Sequence, residues 1–173
     1  HTGLAGREGA GAEVVGHYTW RPSGALNRAV NRVVKKNIVI LISGGGSNMA
    51  AIVQAAQKGH WRERFGAQVA AVISNKAEAA GLAFAHGHHI PTAAFDHKAY
   101  ASRENFDAAL MGEIDRYDPA LVVLDEPNSN LDALGEAALA DCIRLLKAEG
   151  VTLVAITHRL PLVSAVDKVM VLM

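Results

Sequence analysis

The chain has 173 residues, half of them hydrophobic and only 5% aromatic, which suits a single domain with an aliphatic core. Its 17 basic and 17 acidic residues cancel, which argues against nucleic-acid or anionic-membrane partners and leaves little charge to oppose self-association. One cysteine, Cys142, excludes an internal disulfide and a cysteine-based zinc cage; with no apolar run near the roughly 18 residues of a membrane span, the expected setting is a reducing, cytoplasmic one.

Residues 1–22 are rich in glycine and show no sustained period, so they read as a flexible extension, with Tyr18 and Trp20 available to dock it. Ser23 then caps a helix whose stripe is Leu26, Val30, Val33 and Val34. Asn37–Ser43 is a continuous apolar run that stops at a glycine cluster, the pattern of a strand buried on both faces. Met49–Gly59 reads as a helix, Gln68–Ser74 as a second buried strand, Ala77–His86 as an alanine-rich helix and Thr92–Phe95 as a weak third strand. Ser102–Tyr117 is a helix with Phe106, Leu110 and Ile114 on one face; Ala120–Leu124 is the fourth strand. Glu136–Glu149 is a helix turning Leu139, Ile143 and Leu146 inward, and Val151–Ile156 is the fifth strand. Pro161–Val166 is a short link, and Lys168–Leu172 has the composition of a sixth strand.

Strand and helix alternate at the spacing of βα units, and parallel strands need such crossovers. The expected fold is therefore an α/β three-layer sandwich around a doubly wound, mostly parallel sheet of five or six strands. Ligand groups in such sheets gather at the carboxyl ends of the strands. There the sequence places Gly44, Gly45, Gly46, Ser47 and Asn48, between the first strand and the following helix. Glycines let a backbone approach a ligand closely, and the N–H groups and dipole of a helix start favour an anion. The alternative at this point is a tight strand-to-helix turn with Ser47 or Asn48 as cap. No Gly-Lys-Ser/Thr follows, so the loop is not a P-loop.

The blocks NIVILISGGGSNMAAIV, AAVISNKAEAAGLAFA and GHHIPTAAFDHKAYASRENFDAALMGEIDRYDPALVVL, in this order, resemble the amino-terminal half of phosphoribosylglycinamide formyltransferase, over about Asn37–Leu124. The resemblance implies that Gly44, Gly46, Ser47 and Asn48 hold a substrate phosphate. It also implies an Asn-x-His-Pro-Ser-Leu segment shortly after the fourth strand, carrying catalytic Asn and His; no such segment occurs here. Full formyl transfer by this chain alone is therefore not expected.

From the fourth strand onward, LVVLDEPNSNLDALGEAAL and VTLVAITHRLPLVSAVDKVMVL resemble the ATPase domain of ABC transporters of the type I secretion kind, over about 121–173. That resemblance makes Asp125 a water-mediated Mg²⁺ ligand at the end of a Walker B strand, Glu126 a residue that polarises an attacking water, Ser129-Asn130-Leu131-Asp132 a D-loop and His158 a switch histidine. The Walker A lysine and the Leu-Ser-Gly-Gly-Gln signature are missing. Without them Asp125, Glu126 and His158 read equally as inherited, idle groups.

Other candidates are blander. His86, His88, His89 and His97 crowd one stretch but lack a ligand spacing on one element. Lys76 stands at the end of the second strand, within reach of an anion or simply on the surface. Cys142 reads as a core thiol. The expectation is thus a phosphate-ester- or nucleotide-binding α/β domain over residues 23–173, chimeric in character, with a ribose phosphate or nucleotide as its partner. The alternatives are an ABC-ATPase-like fragment acting on Mg-nucleotide and a folded chimera without a ligand. No cofactor is fixed beyond Mg²⁺ accompanying a nucleotide, and uncovered sheet edges point to a homo-oligomer.

Overall fold

The first strand, β1 (Lys36–Ile42), is the centre of the fold because its last five residues, Ile38 to Ile42, are all apolar. Ile38, Ile40 and Ile42 feed one core and Val39 feeds another on the opposite face, with Leu41 packed against it. The computed structural model describes residues 36–127, 133–148, 150–158 and 164–171, all within a unit spanning Val34–Met173. The glycine-rich extension, the helix capped by Ser23 and the Ser129–Asp132 loop lie outside the described residues, as does the first half of the Pro161–Val166 link.

After β1 come α1 (Ser47–Lys58), a short α2 (Trp61–Phe65), β2 (Ala67–Ser74), α3 (Ala80–Gly87) and β3 (Thr92–Ala94). A 3₁₀ turn at His97–Ala99 leads into α4 (Arg103–Asp115), β4 (Pro119–Asp125), α5 (Ala133–Ala148) and β5 (Thr152–Ile156). Five strands form one parallel sheet in the order β3-β2-β1-β4-β5. The α/β class and parallel sheet expected from the sequence are what the structure shows.

Two cores sandwich the sheet. Met49 and Val53 of α1 and Leu82 and Ala85 of α3 close one face; Ile114 of α4 and Ala140 and Ile143 of α5 close the other. Full burial of such aliphatic side chains stabilises the fold by about 1.5–3 kcal/mol each. Register breaks keep the alternation in phase. Ile38 and Val39 pair with Val69 and Ala71, leaving Ala70 as an extra residue in β2. The insertion puts Val69 and Val72 on one face and Ala71 and Ile73 on the other, as the two cores require. A second shift, between Asn37 and Ile38, leaves Ala120 extra in β4.

Two expectations need correction. The alanine-rich helix begins at Ala80, not Ala77: Ala79 is extended, with φ −58° and ψ 125°. The sixth strand is not observed, since Lys168–Val171 pair with no strand among the described residues. Its apolar composition satisfied the local signal for a strand. Pairing, however, is a long-range condition, and Ala165 and Asp167 are instead held against α5. Ala165 is buried in the α4/α5-side core, and Lys147 reaches its carbonyl at 3.4 Å and the Asp167 carboxylate at 2.7 Å.

Candidate functional site

The sheet reverses its direction of growth at β1: the chain moves from β1 to β2 and β3 on one side, then returns to place β4 on the other. Such a switch point leaves a crevice outside the carboxyl ends of the central strands. Ile42 is level with Ser74 on one side and Asp125 on the other, so the loops after β1, β2 and β4 meet. Between them lies an open cavity of ≈ 410 Å³. Ser43 to Ser47 form one wall, Lys76 comes from the β2–α3 loop, and Asp125 and Glu126 follow β4.

The three glycines differ in what they do. Gly46 caps α1 in a left-handed conformation, φ 67°, and a Cβ there would stand 2.9 Å from Cε of Met49, so the fold itself demands glycine. Gly44 and Gly45 have no such constraint: neither has a positive φ, and a Cβ at either would meet nothing within 4 Å. What their missing side chains leave open is the cavity. The loop rests on Gly81 of α3, whose N–H reaches the Gly44 carbonyl at 3.4 Å. A Cβ on Gly81 would fall 2.4 Å from Cδ1 of Ile42 and 3.1 Å from the Gly45 carbonyl oxygen. Gly81 therefore supports the loop, a role the sequence marked only by a glycine standing within an alanine-rich helix, where it costs stability.

Asp125 is 4% exposed, and both its oxygens are engaged by the start of α1. Oδ2 accepts the Met49 N–H at 3.0 Å and Oδ1 accepts the Asn48 side-chain amide at 2.8 Å. The first N–H groups of a helix have no intrahelical partner, and Gly46 offers no capping side chain; Asp125 supplies the cap from across the sheet. It also sets a negative charge against the positive end of the helix dipole. Asn48, expected to line the phosphate site, does not line the cavity; its amide is turned to Asp125.

Glu126 has φ 50°, a left-handed conformation uncommon outside glycine. Two hydrogen bonds hold it there: its N–H donates to the Ile156 carbonyl at 2.8 Å, and its carbonyl accepts from Oγ of Ser43 at 3.0 Å. The result aims the side chain along the rim, where Oε1 lies 3.4 Å from Nδ1 of His158. Glu126 and His158, singled out separately in the sequence, thus lie together, at the same sheet edge as the glycine loop. Both side chains are exposed to solvent, at 45% and 68%. Lys76, weighed from sequence as mainly a surface residue, lines the cavity opposite this pair.

The histidine-rich stretch does not assemble a site. His88 contacts Gln57 at 3.1 Å and packs at a tilt against Phe84, and His97 packs edge-on against Phe106. Among the described residues no group of three or more His, Cys, Asp or Glu side chains is arranged to hold a metal ion. Nor is any described helix long and apolar enough to cross a membrane. Cys142 is partly buried on α5. Burial pushes its thiol up from the ordinary value, with Asp107 adding to the shift and Arg103 opposing it.

Comparison with known proteins agrees with this geometry. Phosphoribosylglycinamide formyltransferase of Escherichia coli (strain K12) is 46% identical over 88 residues, which are 51% of this chain and 40% of that enzyme. This chain therefore spans less than half the length of that relative. A crystal structure of glycinamide ribonucleotide transformylase 1 from Geobacillus kaustophilus has the same fold, with TM-score 0.54 and 24% identity, covering 70% of this chain and 57% of that one. The type I secretion system ATP-binding protein PrsD of Rhizobium meliloti (strain 1021) is 47% identical over 55 residues, 32% of this chain and 10% of that protein. The family model for formyl transferase matches residues 36–126, more than half of the sequence and the whole stretch from β1 through the glycine loop to Glu126. The chain belongs to the formyl transferase family.

Proposed function

We propose that this chain binds a phosphate ester, a phosphorylated ribose or nucleotide, in the cavity between the glycine loop and Lys76, without carrying complete formyl transfer. The observation that supports this reading best is the pair of glycines at 44 and 45. Neither backbone conformation nor packing calls for glycine there, and both leave the loop backbone open to a close-lying group. The start of α1 adds the N–H groups that precede the one Asp125 takes, and Lys76 adds a full positive charge across the cavity. The name of the E. coli relative, phosphoribosylglycinamide formyltransferase, supplies a ligand of this chemistry. Formyl transfer also needs groups that position and move protons, and the Asn-x-His-Pro-Ser-Leu segment that carries them in the resembled family is missing here. The 55-residue likeness to a type I secretion ATP-binding protein supports a chimeric origin for the remainder.

A second reading rests on Glu126 and His158. Their approach at 3.4 Å on the same rim supports a composite site in which an Mg-nucleotide spans from the glycine loop to the imidazole, with Asp125 or Glu126 taking the cation through water. Calorimetry and thermal unfolding with ribose 5-phosphate, glycinamide ribonucleotide and Mg-ATP test both readings. At a ligand concentration one hundred times Kd, stabilisation of about 2.7 kcal/mol is expected. It should fall when Lys76→Ala and Ser47→Ala are combined. Binding of ribose 5-phosphate that ignores those changes overturns the first reading. Mg-ATP binding unchanged in Glu126→Gln and His158→Ala overturns the second.

A further inference from the structure

Among the described residues no strand follows β5 at its edge of the sheet. Leu153 and Ala155 pack into the core beneath α4 and α5, but Thr152 and Val154 point to the other face, where α1 and α3 cover β1 and β2. On that face Val123 of the neighbouring β4 is 3% exposed while Val154 of β5 is 45% exposed. Beyond β5 no strand pairs among the described residues, so its outer N–H and C=O groups form an open edge. An open, apolar edge is a template for another strand.

The same chain carries a segment of the matching kind. Val169, Met170 and Val171 are 58%, 85% and 76% exposed, three successive apolar residues of β-prone composition that pair with no strand among the described residues. That run does not reach its own β5 readily. Ala165 is buried on the α5 side and Asp167 is tied to Lys147, so the tether is fixed just before the run begins. An unpaired edge and an unpaired run that do not meet within one molecule can meet reciprocally between two.

We infer that two copies of this chain associate by strand exchange, the 168–171 run of each adding to the β5 edge of the other. The contact is isologous, since each copy gives one strand and receives one, and it closes after two copies. A net charge of zero leaves no general repulsion to oppose it. The occupant is a second copy rather than a different protein because the missing strand and the vacant edge occur in one sequence. This inference does not depend on the phosphate reading: the β5 edge and the 168–171 run supply no wall of the glycine-loop cavity.

The test begins with sedimentation velocity of the full chain over a range of concentrations, with and without Met170→Lys and, separately, Val154→Lys. A dimer is expected for the parent chain, weakened at least about tenfold by either change. Both positions are exposed, so each variant should keep the parent circular dichroism spectrum. In a Cys142→Ser background, a chain carrying Val154→Cys is then mixed with one carrying Met170→Cys under mild oxidation. A disulfide joining the two different chains supports exchange. In the variant carrying both cysteines, a disulfide formed only within single chains shows that the run completes its own sheet and overturns the inference. A parent chain that stays monomeric throughout, or a dimer indifferent to both lysines, overturns it equally.

Discussion

Replacing Gly81 by alanine is the most direct perturbation of the loop's support. The added Cβ would lie 2.4 Å from Cδ1 of Ile42, 3.1 Å from the Gly45 carbonyl and 3.2 Å from Cε of Met49. Ile42 and Met49 are 4% and 0% exposed, so neither side chain can swing into solvent. Overpacking of this kind costs about 1–3 kcal/mol, and alanine in a helix recovers about 1 kcal/mol, which leaves a net loss of up to about 2 kcal/mol. The same substitution at Gly112, inside α4, meets nothing within 4 Å and should stabilise by about 0.5–1 kcal/mol. Urea unfolding followed by circular dichroism compares the two. The Gly81→Ala loss should be accompanied by weaker ribose 5-phosphate binding, because relief of the clash pushes on the Gly45 carbonyl and lengthens the bond from Gly81 to Gly44. Equal stability for Gly81→Ala and Gly112→Ala, with unchanged ligand affinity, would refute the reasoning.

Asp125→Ala should destabilise by about 1–3 kcal/mol, since it leaves the buried Met49 N–H and the Asn48 amide without their acceptor. In urea unfolding the loss should be non-additive with Asn48→Ala, and additivity would show that the contact carries no coupling. Glu126→Gly should raise stability by up to about 1 kcal/mol, the left-handed strain relieved exceeding the entropy glycine adds to the unfolded chain; a loss in the same titration would refute it. Cys142 should react slowly with Ellman's reagent until urea opens the fold, because burial raises its thiol above the ordinary value and the thiolate is the reactive form. The linked stability is fully present below the ordinary thiol value and is lost as pH rises through the raised folded value. Unfolding midpoints measured on the alkaline side should therefore fall more steeply for the parent than for Cys142→Ala.

Much of the fold was legible because its signals are local. The runs around Ile38–Ile42 and Val122–Leu124 are apolar without alternation, and strands buried on both faces need that. The α4 and α5 stripes named from the sequence, Ile114, Ile143 and Leu146 among them, are buried as expected. Helix α2 was not foreseen; five residues are too few to show a period, and it is entered through His60 with φ 49°. The sixth strand failed for the opposite reason, a good local pattern without a partner. At the site, the glycine loop could be read from its composition, but Lys76 was read mainly as a surface residue and Gly81 went unnoticed, because their value lies in what the fold brings against them. The link from Asp125 to Asn48 spans 77 positions in sequence, and no motif spacing encodes it.

That link also decides what the chain after β4 contributes. If the later part were a passenger, its removal would leave the glycine loop and the start of α1 intact. The geometry argues otherwise. Asp125, at the very end of β4, holds the first turn of α1; Glu126, one residue on, accepts the hydroxyl of Ser43 at the base of the loop. Glu126 is in turn fixed by a carbonyl of β5, so the loop's position depends on a strand that follows it by more than a hundred residues of chain. Disturbing β5 should therefore loosen the phosphate cavity through Ile156 and Glu126 before it unfolds the central strands, whose register with each other does not involve β5. Amide exchange at Met49 and Glu126 rising ahead of exchange at Ile40 in a Val154→Pro variant would display that order, and simultaneous loss of all three would show that the sheet melts as one block instead.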